Sequence, residues 1–213
     1  MGKGEFLFLL QGLRWTLVLS AAGFICGMFS GLGVALARTS GISILERIAA
    51  GYIALFQGTP LLMQLFVVYY GLALYGVKLD AWVAVALGFT FHASAYLGEI
   101  WRGAIEAVPR GQVEAAKALS LGYVSRMKDI ILPQAFRISL PATIGFLVQL
   151  IKGTSLAAFV GFTELSRAGT MVSNQIFKPL LVFGVVGLIY FLICWPLSLY
   201  GTRLERQFAA ASR

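Results

Sequence analysis

Residues 179–202 read PLLVFGVVGLIYFLICWPLSLYGT and contain no charged side chain. A helix needs about 20 apolar residues to cross the ~30 Å hydrocarbon core of a bilayer, so this run is long enough to span a membrane. The runs 15–37 and 48–77 also lack charges. Of the 213 residues, 59% are hydrophobic and 12% are charged, whereas soluble domains carry about twice that share of charge. Because the runs are continuous rather than alternating, the sequence predicts an all-α integral membrane protein.

Two weaker candidates raise the predicted number of transmembrane helices to about five. The segment 81–98 contains His92, and the segment 140–163 contains Lys152. At 1.5 Å per residue both side chains lie about 15 Å inside the membrane, where ionisable groups are costly and often functional. His92 and Lys152 are therefore candidate pathway residues, although a packed histidine and a structurally paired lysine are the alternatives. The five spans form one domain, 1–213.

The distribution of basic residues predicts the orientation of the chain. Eleven of the 17 Lys and Arg residues lie in one set of loops, five lie in the other set, and Lys152 lies inside a span. The richer side is expected to be cytoplasmic, with the N-terminus outside and the C-terminus inside. This asymmetry accounts for the net charge of +8 without a nucleic-acid partner. Residues 1–14 show no pattern of a cleaved signal peptide, and residues 39–50 read as a short cytoplasmic link.

The stretch FQGTPLLMQLF, 56–66, interrupts the second hydrophobic run. Gly58 and Pro60 either mark the start of a span or interrupt a longer helix, since proline fits a first turn but disrupts a helix interior. Interrupted helices expose backbone polar groups where a transport pathway runs. The polar side chains that would then lie near a pathway are Gln57, Thr59 and Gln64.

Residues 102–139 are too polar for the bilayer and are predicted to form a cytoplasmic helix–turn–helix. Its first helix would run from Pro109 to Gly122, where glycine tolerates left-handed backbone, and its second from about Tyr123 to Pro133. Small residues at Ala115, Ala118 and Gly122, and an apolar stripe at Val124, Met127 and Ile131, repeat with helical spacing. A bare helix face suits insertion into a groove on another protein. A helix pair lying on lipid is the alternative.

Several other features exclude classes of function. No phosphate-binding loop G-x-x-x-x-G-K-[ST] occurs in the sequence, so any ATPase would be another polypeptide. Neither a catalytic triad nor a metalloprotease motif is found, and the chain is not expected to be an enzyme. Cys26, Cys194 and the single histidine do not make an ordinary metal site. Glu164 and Arg167, three residues apart, are expected to form a solvated pair.

Several motifs in order resemble the permease subunits of ABC importers, in the branch that imports polar amino acids. EAAKALSLG (114–122) followed by IILP (130–133) resembles the EAA loop of that family. The other matching segments are QGTPLLMQLF (57–66), ASAYLGEIWRGAIEAVPRGQVEAA (93–116), IKGTSLAAFVG (151–161), TELSRAG (163–169) and RLERQ (203–207). Together they cover nearly the whole chain.

The resemblance implies a multi-pass protein of the bacterial inner membrane that binds no cofactor itself. It implies a second permease subunit, identical or a sibling, two ABC ATP-binding subunits that hold ATP, and an extracytoplasmic solute-binding protein. Segment 102–139 would be the coupling loop. In it Glu114 would be the charged contact and Gly122 the turn. The close-approach face would be formed by Ala115, Ala116 and Ala118. The implied pathway for the amino acid adds further polar residues to those named above: Ser94, Thr154 and Ser155.

Three positions depart from the family pattern. The family usually has Arg at the position of Gln57, Asp or Asn at that of Gly153, and Gly at that of Ser120. Two other classes of function stay open at this point. A secondary transporter or channel subunit would need no ATPase-docking segment, and an adaptor subunit would have no polar residues lining a cavity.

Overall fold

The computed structural model describes the backbone of residues 2–211 and the side chains of residues 2–208. Every regular element in that part of the chain is helical, which confirms the predicted fold class. We number the helices as follows: α1 Lys3–Arg38, α2 Ser43–Gln57, α3 Leu61–Leu74, α4 Ala81–Glu106, α5 Arg110–Ala118, α6 Tyr123–Val160, α7 Leu165–Ile176 and α8 Pro179–Ala211. Helices α1, α4, α6 and α8 are long and apolar enough to cross a membrane, and α2 with α3 forms a bent pair.

The packing of α1 on α4 establishes that the bent pair also crosses the membrane. Gly23 lies against Phe89 and Gly27 lies against Ala93, so the residue numbers rise together and the two helices run parallel. The chain between them must therefore return to the opposite face. Trp101 donates a hydrogen bond to Thr143 at the other end of the same bundle, and α6 runs antiparallel to α4. Four single helices and the bent pair give five candidate spans, in agreement with the predicted number of about five.

Small residues on α1 allow this close approach. A Cβ atom built on Gly23 would lie 2.7 Å from the Cβ of Phe89, and one on Gly27 would lie 2.4 Å from the Cβ of Ala93. Helices in lipid associate mainly through such packing, because lipid is as apolar as the side chains. The contact joins α1 to α4 along most of the membrane thickness.

The second span is an interrupted helix. Helices α2 and α3 meet at an angle of 104° across the break at 58–60, and each is about 22 Å long, too short to cross alone. Of the two alternatives, the structure therefore has the interrupted span. The link after α1 is only residues 39–42, so the predicted link 39–50 is wrong in its length. The polar start of α2 reads as loop in a hydropathy pattern but is already helical.

The turn after α5 also differs from its prediction. Ser120, with φ of +57°, is the left-handed residue, whereas Gly122 is extended with φ of −62° and ψ of 165°. The N–H of Ser120 donates to the carbonyl oxygen of Lys117, and that of Leu121 donates to that of Ala116. This is the Schellman pattern of a helix end. The prediction that Gly122 makes the turn is wrong because the reversal occurs two residues earlier.

The predicted second helix of the cytoplasmic segment is the beginning of a span. Helix α6 continues through Pro133, so a separate helix ending there is wrong. A wider, π-helical segment at Arg126–Ile131 precedes the proline. Proline removes one backbone N–H and its ring crowds the carbonyl four residues earlier, and a π segment can absorb this within a continuous helix. Met127 is buried, but Val124 is 73% exposed and does not extend the apolar stripe.

Candidate functional site

A cavity of about 500 Å³ opens at the break between α2 and α3, and we call it the helix-break cavity. It lies between the break, the middle of α4 and the end of α6. Its lining residues are Gln57, Gly58, Thr59, Pro60, Leu61, His92, Tyr96, Gln149, Leu150, Gly153 and Leu156. The cavity therefore brings together Gln57, Thr59 and His92 from two different spans.

Gln64 holds the broken backbone together from behind the cavity. Its Nε2 donates to the carbonyl oxygens of Phe56 (2.7 Å) and Thr59 (2.9 Å) and lies 3.1 Å from the Oγ1 of Thr59. The hydroxyl of Thr59 in turn donates to the carbonyl oxygen of Leu55 at 2.8 Å. These bonds satisfy carbonyl groups that lose their helical partners where α2 ends. A break inside a membrane is thereby stabilised by two polar side chains.

The same network sets the proton position on His92. Because the amide nitrogen of Gln64 faces carbonyl oxygens, its Oε1 must be the atom 3.1 Å from the Nδ1 of His92, and Nδ1 is then the donor. The ring is only 5% exposed, and no carboxylate contacts it within the described side chains. Its Nε2 hydrogen-bonds no group in residues 2–208. The imidazole therefore offers a lone pair as an acceptor at the wall of the cavity.

Aromatic rings form the wall around His92. The rings of His92 and Tyr96 lie 4.5 Å apart, and Tyr96 stacks on Phe146 at 5.5 Å. Tyr96 and Gln149 also line the cavity, but they are not among the residues that the sequence predicted. Helical spacing could have indicated both residues, because residues four apart share a helix face. Tyr96 lies four residues after His92, and Gln149 lies four residues before Gly153.

Lys152 does not face the helix-break cavity. It lies in a groove between α6 and α8 that is lined also by Val148, Tyr190, Cys194 and Ser198. Neighbouring residues on a helix point about 100° apart, so Gly153 faces the cavity while Lys152 faces α8. Lys152, a candidate pathway residue from the sequence, therefore lies outside the helix-break cavity.

Three other predicted pathway residues also lie outside the cavity lining. Thr154 is fully buried and its hydroxyl donates to the carbonyl oxygen of Ile151. Ser155 donates to the carbonyl oxygen of Lys152. Ser94 forms a short hydrogen bond with the hydroxyl of Tyr52 and joins α4 to α2. These hydroxyl groups satisfy local helix or interhelix bonds.

The second candidate site is α5, a nine-residue helix between two spans. Glu114, Ala115 and Ala118 are exposed on it, together with Leu119 just beyond its end. Ala116 is only 1% exposed, so its predicted place on the close-approach face is wrong, and it packs inside the chain instead. Gly122 is exposed beside α5 without making its turn.

Comparison with known proteins establishes the family. Residues 9–210 match the model of the binding-protein-dependent transport system inner membrane component. The chain belongs to this family. One relative is the probable amino-acid ABC transporter permease protein YckA of Bacillus subtilis. The two chains are 36% identical, and the match covers 96% of this chain and 91% of the relative.

Two further relatives of this chain are named for the compounds they transport. The L-cystine transport system permease protein TcyB of Bacillus subtilis is 36% identical, over 92% of this chain and 84% of its own length. The arginine transport system permease protein ArtQ of the same organism is 35% identical, over 94% of this chain and 92% of its own length. A solved structure titled as an amino acid ABC transporter with histidines superposes with a TM-score of 0.87 at 31% identity, covering 94% of both chains. The bent second span and the exposed α5 are therefore features of an inner membrane transport component.

Proposed function

We propose that the chain is the permease subunit of an ATP-driven importer of polar amino acids. Family membership and the names of its relatives support this reading. The structural observation that carries it is α5, a short helix outside the bundle whose exposed face bears Glu114, Ala115 and Ala118. An exposed helix face with small side chains beside a carboxylate suits insertion into a groove on a partner protein.

In this proposal α5 inserts into a groove of an ATP-binding subunit. Glu114 makes the charged contact, Ala115 and Ala118 let the two surfaces approach closely, and Leu119 adds an apolar contact. Ala116 anchors α5 to its own bundle, so that movement of the helix is passed to the spans. Two ATP-binding subunits and a second permease subunit complete the machine, and an extracytoplasmic binding protein delivers the amino acid.

The excess of basic residues on the α5 side supports a cytoplasmic position for that side. The N-terminus then lies outside and the C-terminus inside. ATP-driven closure of the partner subunits would move the α5 helices together and switch the spans between two rigid-body states.

The amino acid passes through the helix-break cavity in this proposal. An amino acid carries an ammonium group with three N–H donors. The Nε2 lone pair of His92 is an acceptor on the wall of the cavity, and it is fixed there by Gln64. Gln57 and Gln149 add polar groups that can donate or accept. Their arrangement suits a small zwitterion that must bind weakly enough to leave.

The test is purification of the tagged chain from its native membrane, followed by measurement of ATP hydrolysis and of uptake by cells. An ATPase is expected to co-purify with wild type. Cells are expected to take up labelled L-arginine or L-cystine, the compounds for which two of the relatives are named. Glu114→Lys should reduce both activities at least tenfold while the chain stays folded. Glu205→Lys, the same charge change at another exposed site on that side, should leave them unchanged.

A different result would favour the alternative, a secondary transporter or channel subunit. If wild type purifies without an ATPase, and if uptake persists after ATP is depleted while an ion gradient is kept, the importer proposal is wrong. If Glu114→Lys takes up amino acid normally, α5 has no coupling role.

A further inference from the structure

A cleft lined by three arginines lies where α1 and α4 end and α6 begins, on the α5 side of the bundle. It has a volume of about 380 Å³, and we call it the arginine cleft after Arg38, Arg110 and Arg126. Within the described side chains the ion pairs are those of Arg102 with Glu99 and Glu106, so none of the three arginines is in a salt bridge. The Nε of Arg38 is buried and has no hydrogen-bond partner in that part of the chain. Buried donors are nearly always satisfied, so this atom points to a ligand.

Two carboxylates, Glu46 and Glu106, line the cleft together with the three arginines, and both are already engaged. Glu106 is held by Arg102, and Glu46 accepts a hydrogen bond from the N–H of Gly41 at 2.9 Å. Arg126 lies over the ring of Tyr123, with its guanidinium carbon 5.7 Å from the ring centroid. Three arginines thus face two carboxylates in the cleft, and one of the carboxylates is paired with Arg102 outside the three, so the cleft keeps an excess of positive charge that can receive an anion.

An apolar groove of about 310 Å³ lies beside the arginine cleft, further into the membrane. Ile105 lines both spaces. The other lining residues of the groove are Met28, Phe29, Leu32, Trp101, Leu132, Ala135, Phe136 and Ser139. Phe29 is 78% exposed and Phe136 is 59% exposed, so the groove opens to the outside of the bundle at the level of the spans.

We propose that this pair of spaces binds one anionic phospholipid. Its phosphate would lie among the three arginines, where Arg38 Nε would donate to a phosphate oxygen, and one acyl chain would lie in the apolar groove. Basic pockets at the membrane-proximal ends of spans recognise anionic lipid headgroups, and each arginine near the surface contributes about fivefold in affinity. A free phosphate or an acidic protein segment would fill the arginine cleft but would leave the adjoining groove exposed. The shared wall at Ile105 therefore favours a ligand with an anionic head and an apolar tail.

Native mass spectrometry of the purified full chain, with whatever subunits accompany it, tests this proposal. Dioleoyl phosphatidylglycerol and dioleoyl phosphatidylcholine are added in turn, and bound lipid is counted for wild type and variants. Wild type should retain phosphatidylglycerol at least tenfold more tightly than phosphatidylcholine. Arg38→Gln and Arg126→Gln should each weaken phosphatidylglycerol binding about fivefold. Arg137→Gln, which removes an exposed arginine of α6 outside the cleft, is the matched control and should bind as wild type.

Three outcomes would overturn the proposal. Equal retention of the two lipids, or equal loss in Arg137→Gln, would mean that no specific site exists. Leu32→Trp fills the groove without touching the arginines, so undiminished binding by that variant, with full displacement of lipid by millimolar inorganic phosphate, would assign the cleft to a small anion. Loss of an accompanying ATPase from Arg38→Gln with unchanged lipid binding would assign the arginines to a protein contact.

Discussion

At the scale of single residues, the backbone conformation at Ser120 is unfavourable for a residue with a side chain. Its φ of +57° lies in the left-handed region, which costs a residue with a Cβ about 1–2 kcal/mol relative to glycine. The Schellman hydrogen bonds of Ser120 and Leu121 hold it there. This chain therefore carries a strained turn beside its exposed helix.

Ser120→Gly is therefore expected to raise the stability of the chain by about 0.5–1 kcal/mol, since relief of strain exceeds the added freedom of the unfolded state. The thermal midpoint of the detergent-solubilised protein measures it. Ser125→Gly, at an ordinary helical position at the start of α6, should lower the midpoint. A drop in both variants would show that Ser120 does not strain the turn.

Glu164 is a buried carboxylate where a solvated ion pair was predicted. It is 0% exposed and caps α7, accepting hydrogen bonds from the N–H groups of Ser166 and Arg167 and from the hydroxyl of Tyr190. The Arg167 guanidinium instead donates to the carbonyl oxygen of Ala158. The prediction is wrong because the i, i+3 spacing of charges does not reveal that α1 and α8 cover this helix start.

Burial raises the pKa of Glu164 above its ordinary value, although its hydrogen bonds oppose the shift. The folded state therefore binds a proton more tightly than the unfolded state, and stability is lost as pH rises from the ordinary pKa through the raised one. The thermal midpoint of wild type minus that of Glu164→Gln should grow as pH is lowered from 7 toward 4.5. Glu205→Gln controls for the loss of one exposed carboxylate. A difference that shrinks over this range would contradict the assigned direction.

At the scale of elements, the contact of α1 with α4 depends on the absence of side chains at a few glycines. Gly27→Ala places a Cβ 2.4 Å from that of Ala93, and overpacking of this kind costs about 1–3 kcal/mol. We expect a lower thermal midpoint and less folded protein in the membrane. Gly33→Ala is the matched control on the same helix, because nothing lies within 4 Å of its new Cβ. The double variant Gly27→Ala/Ala93→Gly should recover most of the loss, and failure to recover would exclude this contact as the cause.

The sequence predicted best those helices that contain long apolar runs. The five traversals and the break at Gly58 and Pro60 follow from hydropathy and from proline geometry, which are local properties. The boundaries at Ser43 and at Pro133 did not follow, because a polar helical turn outside the bilayer reads as loop and a proline can be absorbed by a π segment. Helix ends depend on contacts between distant residues, which a single sequence does not display.

At the scale of the whole molecule, two polar faces on either side of α6 compete for the role of pathway. The sequence predicted His92 and Lys152 as pathway residues from their depth in the membrane, which a hydropathy pattern does report, and Gln57 from the helix interruption. It did not report which way each side chain points, because that depends on how the spans pack. The structure separates the helix-break cavity from the groove of Lys152, so only one of the two can be protected by a substrate bound in the cavity.

Cysteine accessibility distinguishes the two faces. After Cys26 and Cys194 are replaced by Ala, single cysteines are introduced at Gln149, which lines the helix-break cavity, and at Ser198, which lines the groove of Lys152. A membrane-impermeant methanethiosulfonate reagent should label Gln149→Cys, and the imported amino acid should slow this labelling at least fivefold. Ser198→Cys should show no such protection, and Leu188→Cys on the outer face of α8 should react poorly because thiolates rarely form in lipid. Protection at Ser198 without protection at Gln149 would place the pathway beside Lys152 and would remove His92 from the proposed substrate contact.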